Sequence, residues 1–159
     1  MKIICIGRNY ADHAKELKND LPTEPLYFLK PDTALLPAGN PFYIPDFTQD
    51  LHFECELVVK IKKVGKNIPV KFANDYFDEI TLGIDFTARD IQEECKKKGL
   101  PWEKAKAFNG SAFVSAMQPF NPAVLEKPIH FTLHKNGALV QDGNSELMIW
   151  NVAELIEEV

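Results

Sequence analysis

Two acidic residues at alternate positions are the first candidates for a functional site, namely a metal-binding site, in this sequence. Glu54 and Glu56 lie in the run Phe53–Ile61, whose odd-numbered members are apolar. This alternation predicts a β-strand with both carboxylates on the face opposite the apolar side, roughly 7 Å apart. Two adjacent negative charges repel each other unless a cation lies between them, and a hard divalent ion meets that need. A solvated acidic strand face is the simpler explanation and is favoured by spacing alone.

A third carboxylate strengthens the metal hypothesis. Asp85 lies in the apolar run Ile80–Phe86, which predicts a buried strand, and an unpaired ionised carboxylate is costly to bury. Capping of a helix that begins near Arg89 is the alternative role for Asp85. Three carboxylates on two strands, completed by water and substrate oxygens, would suit Mg²⁺ or Mn²⁺.

Two polar pairs have the three-residue spacing that brings side chains together on a helix. His13 and Glu16 fall in a predicted helix, where the carboxylate would raise the basicity of the imidazole and prepare it to activate water. Arg89 and Gln92 begin another predicted helix and could present a cation and an amide to a substrate carboxylate. Each pair is explained as readily by an exposed polar helix face.

Other residues are less informative when each is taken singly. Lys30 and Lys106 are isolated lysines beside apolar residues, a setting typical of side chains that extend to solvent. The first strand, Lys2–Ile6, resembles that of a dinucleotide fold, but the motif GxGxxG is absent. Ser111 and Ser115 lack the context of a nucleophile elbow. The sequence therefore favours neither a dinucleotide enzyme nor a serine hydrolase.

Short strands and helices must position these residues. Apolar alternation predicts strands at 2–6, 27–30, 53–61 and 80–86, and Asn136-Gly137 predicts a hairpin between 129–134 and 138–141. Helices are predicted at 9–17, 70–77, 89–98 and 151–159, the third of them ended by Gly99 and Pro101. Prolines and a glycine make 31–45 a long irregular segment, which is expected to be functional or anchored by its own packing.

The overall composition is that of one soluble domain over residues 1–159. Apolar residues make up 45% of the 159 and charged residues 26%, and the net charge of -5 gives no general attraction to nucleic acid or anionic membranes. Three widely spaced cysteines without CxxC predict a reducing compartment, taken as the cytoplasm, although an organelle matrix would give the same pattern. The last predicted helix stops without a glycine, basic residue or proline, so a longer native chain is expected.

Read in order, several segments resemble the fumarylacetoacetate hydrolase family, in particular its acylpyruvase and fumarylpyruvate hydrolase-like branch. The matching stretches are GRNYADHAKE at 7–16, FLKP at 28–31, HFECEL at 52–57, GIDFTARDIQ at 83–92, KKKGLPW at 96–102 and AKAF at 105–108. The resemblance implies an α+β, β-rich fold, a mixed β-roll or sandwich with a few short helices, in a homodimer. The family's final strands, with their Gly-Thr-Pro loop, have no counterpart here, so the C-terminal part is expected to be missing.

The resemblance also implies a role for each candidate residue. It implies metal ligands at Glu54, Glu56 and Asp85, catalytic residues at His13, Glu16 and Lys106, and substrate-binding or pocket residues at Lys30, Arg89 and Gln92. The segment 10–25 corresponds to a lid over the substrate. Lys106 would stabilise developing negative charge, and Glu16 would orient His13 as the base for a hydrolytic water.

The implied activity is cleavage of a carbon–carbon bond in acylpyruvate- or fumarylpyruvate-type 2-oxo acids, giving pyruvate and a carboxylic acid. The enzyme would depend on Mg²⁺ or Mn²⁺ and would bind neither nucleic acid nor membranes. Oxaloacetate decarboxylation, and isomerisation or hydration of unsaturated 2-oxo diacids, remain alternatives because all exploit one enolate. A non-catalytic metal- or ligand-binding domain, or an inactive fragment, is the alternative from another class.

Overall fold

The computed structural model describes residues 1–10, 22–122 and 127–159. These residues form eight short strands, which are β1 (Lys2–Gly7), β2 (Leu26–Pro31), β3 (Leu51–Ile61), β4 (Phe77–Ala88), β5 (Ala112–Val114), β6 (Gln118–Pro119), β7 (His130–Lys135) and β8 (Ala138–Asn144). The same residues form four α-helices, α1 (Val70–Ala73), α2 (Arg89–Lys98), α3 (Glu103–Lys106) and α4 (Val152–Glu158), and two short 3-10 helices, Asp32–Ala34 and Ser145–Leu147. No helix among them is long and apolar enough to cross a membrane.

The strands form three small sheets. β1 pairs with β2, β4 lies between β3 and β5 and also pairs with β6, and β7 pairs with β8. The predicted β-rich α+β class with a few short helices is confirmed. The chain divides into two compact units, the first made of Met1–Cys5, Phe28–Val58 and Thr81–Ala116, and the second drawn from Ile6–Tyr27, Val59–Ile80 and Met117–Val159.

In the first unit, β4 is packed tightly by its neighbours. It pairs antiparallel with β5, which places Asp85 opposite Ala112. A Cβ atom on Gly83 would lie 2.8 Å from the carbonyl oxygen of Phe113 and 2.9 Å from Val58, so glycine allows the close approach of these strands. β4 leads directly into α2, which ends at Gly99 with a φ of 64°, as the sequence predicted.

The long segment before β3 is held by its own packing, as expected. The backbone N–H of Leu36 donates to the carbonyl of Ala112 at 2.7 Å. Phe42 stacks on Phe86 with ring centroids 3.9 Å apart. Further along, Thr48 donates to the Asp90 carboxylate at 2.6 Å, which joins the end of the segment to the start of α2. These contacts fix the start of β3 relative to β4.

The second unit has an apolar core and a tight hairpin. Ala73, Phe77, Val152 and Ile156 form the core. In the turn between β7 and β8, Asn136 and Gly137 have φ angles of 52° and 82°, the positive values that a two-residue hairpin turn requires, so the predicted hairpin is confirmed.

Two helical predictions differ from the structure or fall partly outside it. The helix predicted at 70–77 ends at Ala73, because Phe77 is fully buried in the apolar core and begins β4 instead. The helix predicted at 9–17 lies mostly among residues 11–21, which are outside the described residues. The final helix is present as α4 and begins with a capping box between Asn151 and Glu154.

Candidate metal centre

Three carboxylates converge in the first unit. β3 carries Glu54 and Glu56 at alternate positions, and β4 carries Asp85 at the end of its pairing with β5. One oxygen from each carboxylate lies within 4.8 Å of the others. The predicted convergence of the three side chains is therefore observed, and it follows from the pleat of β3 and the pairing of β3 with β4.

The electrostatics of this cluster suit a hard divalent cation. Burial and the neighbouring carboxylates of Asp85 and Glu54 raise the pKa of Glu56 to about 8, although Lys106 and Lys30 oppose the shift. A carboxyl group with that pKa is mostly protonated at neutral pH, because burial and like charge disfavour its ionised form more than the two lysines favour it. The donor set contains only carboxylate oxygens, which are preferred by Mg²⁺ and Mn²⁺. The residues therefore fit the metal that the sequence predicted.

The first turn of α2 holds one of these carboxylates in place. A terminal nitrogen of Arg89 donates to Glu54 Oε1 at 2.6 Å, and the other donates to the side-chain oxygen of Gln92. Arg89 and Gln92 are 6% and 3% exposed. Their spacing of three residues therefore brings the two side chains together beside Glu54, and they do not form the exposed polar helix face that was the alternative. Substrate contact by either residue stays a prediction.

Both candidate lysines are buried against the third carboxylate. Lys106 Nζ donates to Asp85 Oδ2 and lies 3.7 Å from Glu54 Oε2, whereas Lys30 Nζ lies 2.7 Å from Asp85 Oδ1. The interpretation of isolated lysines that extend to solvent is wrong for both, since Lys30 is 2% exposed and Lys106 4%. Ion pairing with a buried carboxylate explains why these cations tolerate burial.

Sequence reasoning missed three residues, two that contact the lysines and one whose pKa is raised beside the cluster. Ser111 is fully buried, and its hydroxyl donates to the Lys106 carbonyl at 2.8 Å. The ring of Phe28 lies 5.0 Å from Lys106 Nζ. Burial, and then the charge of Asp85, raise the pKa of the Cys5 thiol to about 12. Strand alternation from Lys30 could have indicated Phe28, but no local signal identifies the other two.

His13 and Glu16 lie outside the described residues, as does most of the lid-like segment 10–25. The catalytic role of this pair stays a prediction. Every other candidate residue, namely Lys30, Glu54, Glu56, Asp85, Arg89, Gln92 and Lys106, lies in the first unit.

Comparison with known proteins identifies the family. The family described as "Fumarylacetoacetate (FAA) hydrolase C-terminal" matches residues 2–159. The chain belongs to the fumarylacetoacetate hydrolase family. The resemblance found in the sequence is thereby confirmed.

Relatives in this family have different names and activities. The chain is 45% identical over 157 residues to the mitochondrial oxaloacetate tautomerase FAHD1 of Mus musculus, covering 99% of this chain and 71% of that protein. It is 39% identical over 159 residues to the mitochondrial oxaloacetate decarboxylase of Dictyostelium discoideum, covering 99% and 73%. Because both relatives are named as mitochondrial, the predicted cytoplasmic location is not confirmed.

A solved structure with bound metal also resembles this chain. Fumarylpyruvate hydrolase from Pseudomonas aeruginosa, solved in complex with Mn²⁺ and pyruvate, superposes with a TM-score of 0.91 at 34% identity. The match covers 99% of this chain and 70% of that one. The β-rich fold is thus shared with a metal-binding member of the family.

Proposed function

We propose that this chain is a metal-dependent enzyme that stabilises the enolate of a small 2-oxo acid, and that its substrate is oxaloacetate. The observation that carries the proposal is the convergence of Glu54, Glu56 and Asp85 within 4.8 Å, with the ammonium groups of Lys30 and Lys106 on Asp85. The reaction would interconvert the keto and enol forms of oxaloacetate. The names of the tautomerase and decarboxylase relatives support this choice of substrate.

Each part of the cluster contributes to that reaction. Mg²⁺ or Mn²⁺, held by the three carboxylates, would act as a Lewis acid towards the carboxylate and keto oxygens of the substrate. Lys106 would stabilise negative charge that develops on the keto oxygen, because its ammonium lies beside two of the proposed ligands, Asp85 and Glu54. Arg89 would keep Glu54 oriented through its hydrogen bond of 2.6 Å. Burial of these groups strengthens each interaction by excluding water.

The first experiment follows the fate of oxaloacetate. Freshly dissolved enol is mixed with protein and Mn²⁺, and the keto form is captured as it appears by malate dehydrogenase and NADH. We expect protein-dependent acceleration that EDTA abolishes and that Glu56→Gln lowers by about 100-fold or more, since a ligand is lost. The matched control is Glu93→Gln, an exposed glutamate on α2, which is expected to leave the rate unchanged.

A second candidate is hydrolysis of acylpyruvates, the activity first predicted from the sequence. Its support is the 34% identity to fumarylpyruvate hydrolase and the spacing of His13 and Glu16. Hydrolysis needs an activated water, whereas enolisation needs a group that moves the proton at C3 but no water. An acylpyruvate panel, followed through loss of the enol ultraviolet absorbance and appearance of pyruvate, tests this candidate.

The substrate panel and Glu16→Gln together separate the two reactions. If hydrolysis is the activity, this variant loses acylpyruvate turnover by about 100-fold or more, because His13 would lose the carboxylate predicted to orient its imidazole. If enolisation of oxaloacetate is the activity, the unaltered protein accelerates ketonisation and leaves the acylpyruvate panel unreacted. Pyruvate formed from oxaloacetate, measured with lactate dehydrogenase, reports decarboxylation in the same samples. Mn²⁺ binding without any of these reactions would instead indicate a non-catalytic binding domain.

A further inference from the structure

The side chain of Lys30 is fully buried, and its ammonium lies among several protein acceptors. Nζ donates to the carbonyl of Lys106, to the carbonyl of Ser111 at 2.8 Å, to Ser111 Oγ at 3.1 Å and to the carbonyl of Phe86 at 3.4 Å. Asp85 Oδ1 lies 2.7 Å away as an ion-pair partner, without the geometry of a hydrogen bond. An ammonium group has only three N–H donors, so this one has no donor left for a substrate.

Lys106 is held in a different way. Its Nζ interacts with the carboxylates of Asp85 and Glu54 and with the face of the Phe28 ring, at 5.0 Å from the ring centroid. All of these partners are side chains, and two of them are proposed metal ligands. If the carboxylates turned towards a cation, Lys106 would lose acceptors and its ammonium would become available to the substrate. Lys30 would lose only its ion pair with Asp85 and keep its four hydrogen-bond acceptors, three of which are backbone carbonyls.

Strand β2 contacts both the ammonium group and the backbone of Lys106. Phe28 and Lys30 are two residues apart and share one face of the strand, while Tyr27 and Leu29 on the other face are 48% and 54% exposed. Phe28 lies against the ammonium of Lys106, and Lys30 donates to its backbone carbonyl. The hydroxyl of Ser111 donates to the same carbonyl at 2.8 Å. The strand and the serine therefore fix the position from which the Lys106 side chain extends.

We propose that the two lysines have different roles: Lys30 is a positioning residue that fixes the Lys106 backbone and Asp85, and of the two only Lys106 contacts the 2-oxo acid. This inference rests on the proposed function and assigns Lys30 a role other than the substrate contact that the family resemblance implies. The ammonium of Lys30 acts through its neighbours, and its loss would let the Lys106 backbone and the Asp85 carboxylate shift.

Lysine NMR on the unaltered protein tests this division without any variant. Protein with ¹⁵N-labelled lysine is recorded alone, with Mg²⁺, and with Mg²⁺ plus oxalate, an unreactive analogue of a 2-oxo acid. We expect the Nζ resonance of Lys106 to move when oxalate is added to the Mg²⁺ sample, and that of Lys30 to stay within the digital resolution. Equal responses of the two resonances to oxalate, including no response from either, would overturn the division.

Variants test the positioning role by separating binding from turnover. Lys30→Met is expected to lower kcat by about 30- to 100-fold, because a small displacement of a catalytic group has an effect of that order. The KM for oxaloacetate and the Kd for oxalate are expected to stay within about threefold, since no substrate contact is lost. Lys30→Arg is not expected to restore kcat, because the larger planar guanidinium does not fit among three backbone carbonyls.

A milder variant keeps the test valid if Lys30→Met does not fold. Ser111→Ala removes two hydrogen bonds of the enclosure but leaves its backbone acceptors, and should lower kcat by about three- to tenfold with KM unchanged. Ser115→Ala, at an exposed serine, is the matched control. A rise in KM or in the oxalate Kd that matches the loss of kcat/KM would show that Lys30 contacts substrate. Failure of the proposed function is read separately, as absence of turnover by the unaltered protein.

Discussion

Metal binding is expected to release a proton from Glu56. Burial and the charges of Asp85 and Glu54 raise the pKa of this carboxyl group to about 8, so the neutral form is favoured below that pH. At pH 7 a group with this pKa carries roughly 0.9 proton, and at pH 9 roughly 0.1. A metal ligand must be deprotonated, so Mn²⁺ has to displace that proton. The apparent Kd for Mn²⁺ should therefore rise about tenfold for each pH unit below 8 and level off above it.

Isothermal titration with Mn²⁺ measures this proton directly. Titrations at pH 7 in two buffers of different ionisation enthalpy give the number of protons released, expected to be about 0.9 in the unaltered protein and near zero in Glu56→Gln. Glu93→Gln is the control and should behave as the unaltered protein. Release of less than about 0.2 proton, together with the same Kd at pH 6.5 and 8.5, would refute the reasoning that burial and like charge keep Glu56 protonated. Release that persists in Glu56→Gln would assign the proton to another group, such as Lys30, whose pKa burial lowers.

Three further outcomes follow from the contacts around the site and from one helix end. Arg89→Met should weaken Mn²⁺ binding about tenfold in titration calorimetry, because the hydrogen bond that orients Glu54 is lost, and unchanged affinity would contradict that role. Gly99→Ala should lower the melting temperature by about 2–4 °C with kcat intact, since the φ of 64° strains a residue with a Cβ. Cys5 should resist alkylation by iodoacetamide at pH 8 until the protein is unfolded, because burial raises its pKa to about 12 and leaves almost no thiolate. Rapid labelling of Cys5 in the folded protein would argue against this burial.

Local patterns predicted the elements that carry the cluster. Alternation along β3 placed Glu54 and Glu56 on one face, and Gly99 marked the end of α2, because both signals depend on backbone geometry over a few residues. Asn136-Gly137 likewise predicted the hairpin, since both residues tolerate positive φ. These predictions succeeded because the spacing of residues along the chain is itself the structural constraint.

The surroundings of the two lysines could not be predicted in this way. The burial of Lys30 depends on carbonyl groups of Phe86, Lys106 and Ser111, which lie 56 to 81 residues further along the chain. A backbone carbonyl belongs to every residue, so no sequence motif indicates which ones will converge on a cation. Single-residue reasoning placed both lysines in solvent, and only the family resemblance indicated that they belong to the site.

The same carboxylate cluster can serve several reactions, so the metal ligands by themselves do not determine which reaction this chain catalyses. The three candidate reactions are tautomerisation of oxaloacetate, decarboxylation of oxaloacetate and hydrolysis of an acylpyruvate. Each of them places negative charge on an oxygen adjacent to a carboxylate. Lys106 and a cation held by Glu54, Glu56 and Asp85 would stabilise that charge equally well in all three. The reactions diverge at the far end of the substrate, where a proton returns, carbon dioxide departs or water attacks. Groups that approach that end must therefore select among them, and His13 with Glu16 is the pair whose chemistry matches the demand for an activated water. The specificity of this chain is thus expected to depend on residues 10–25 rather than on the strands that hold the carboxylates.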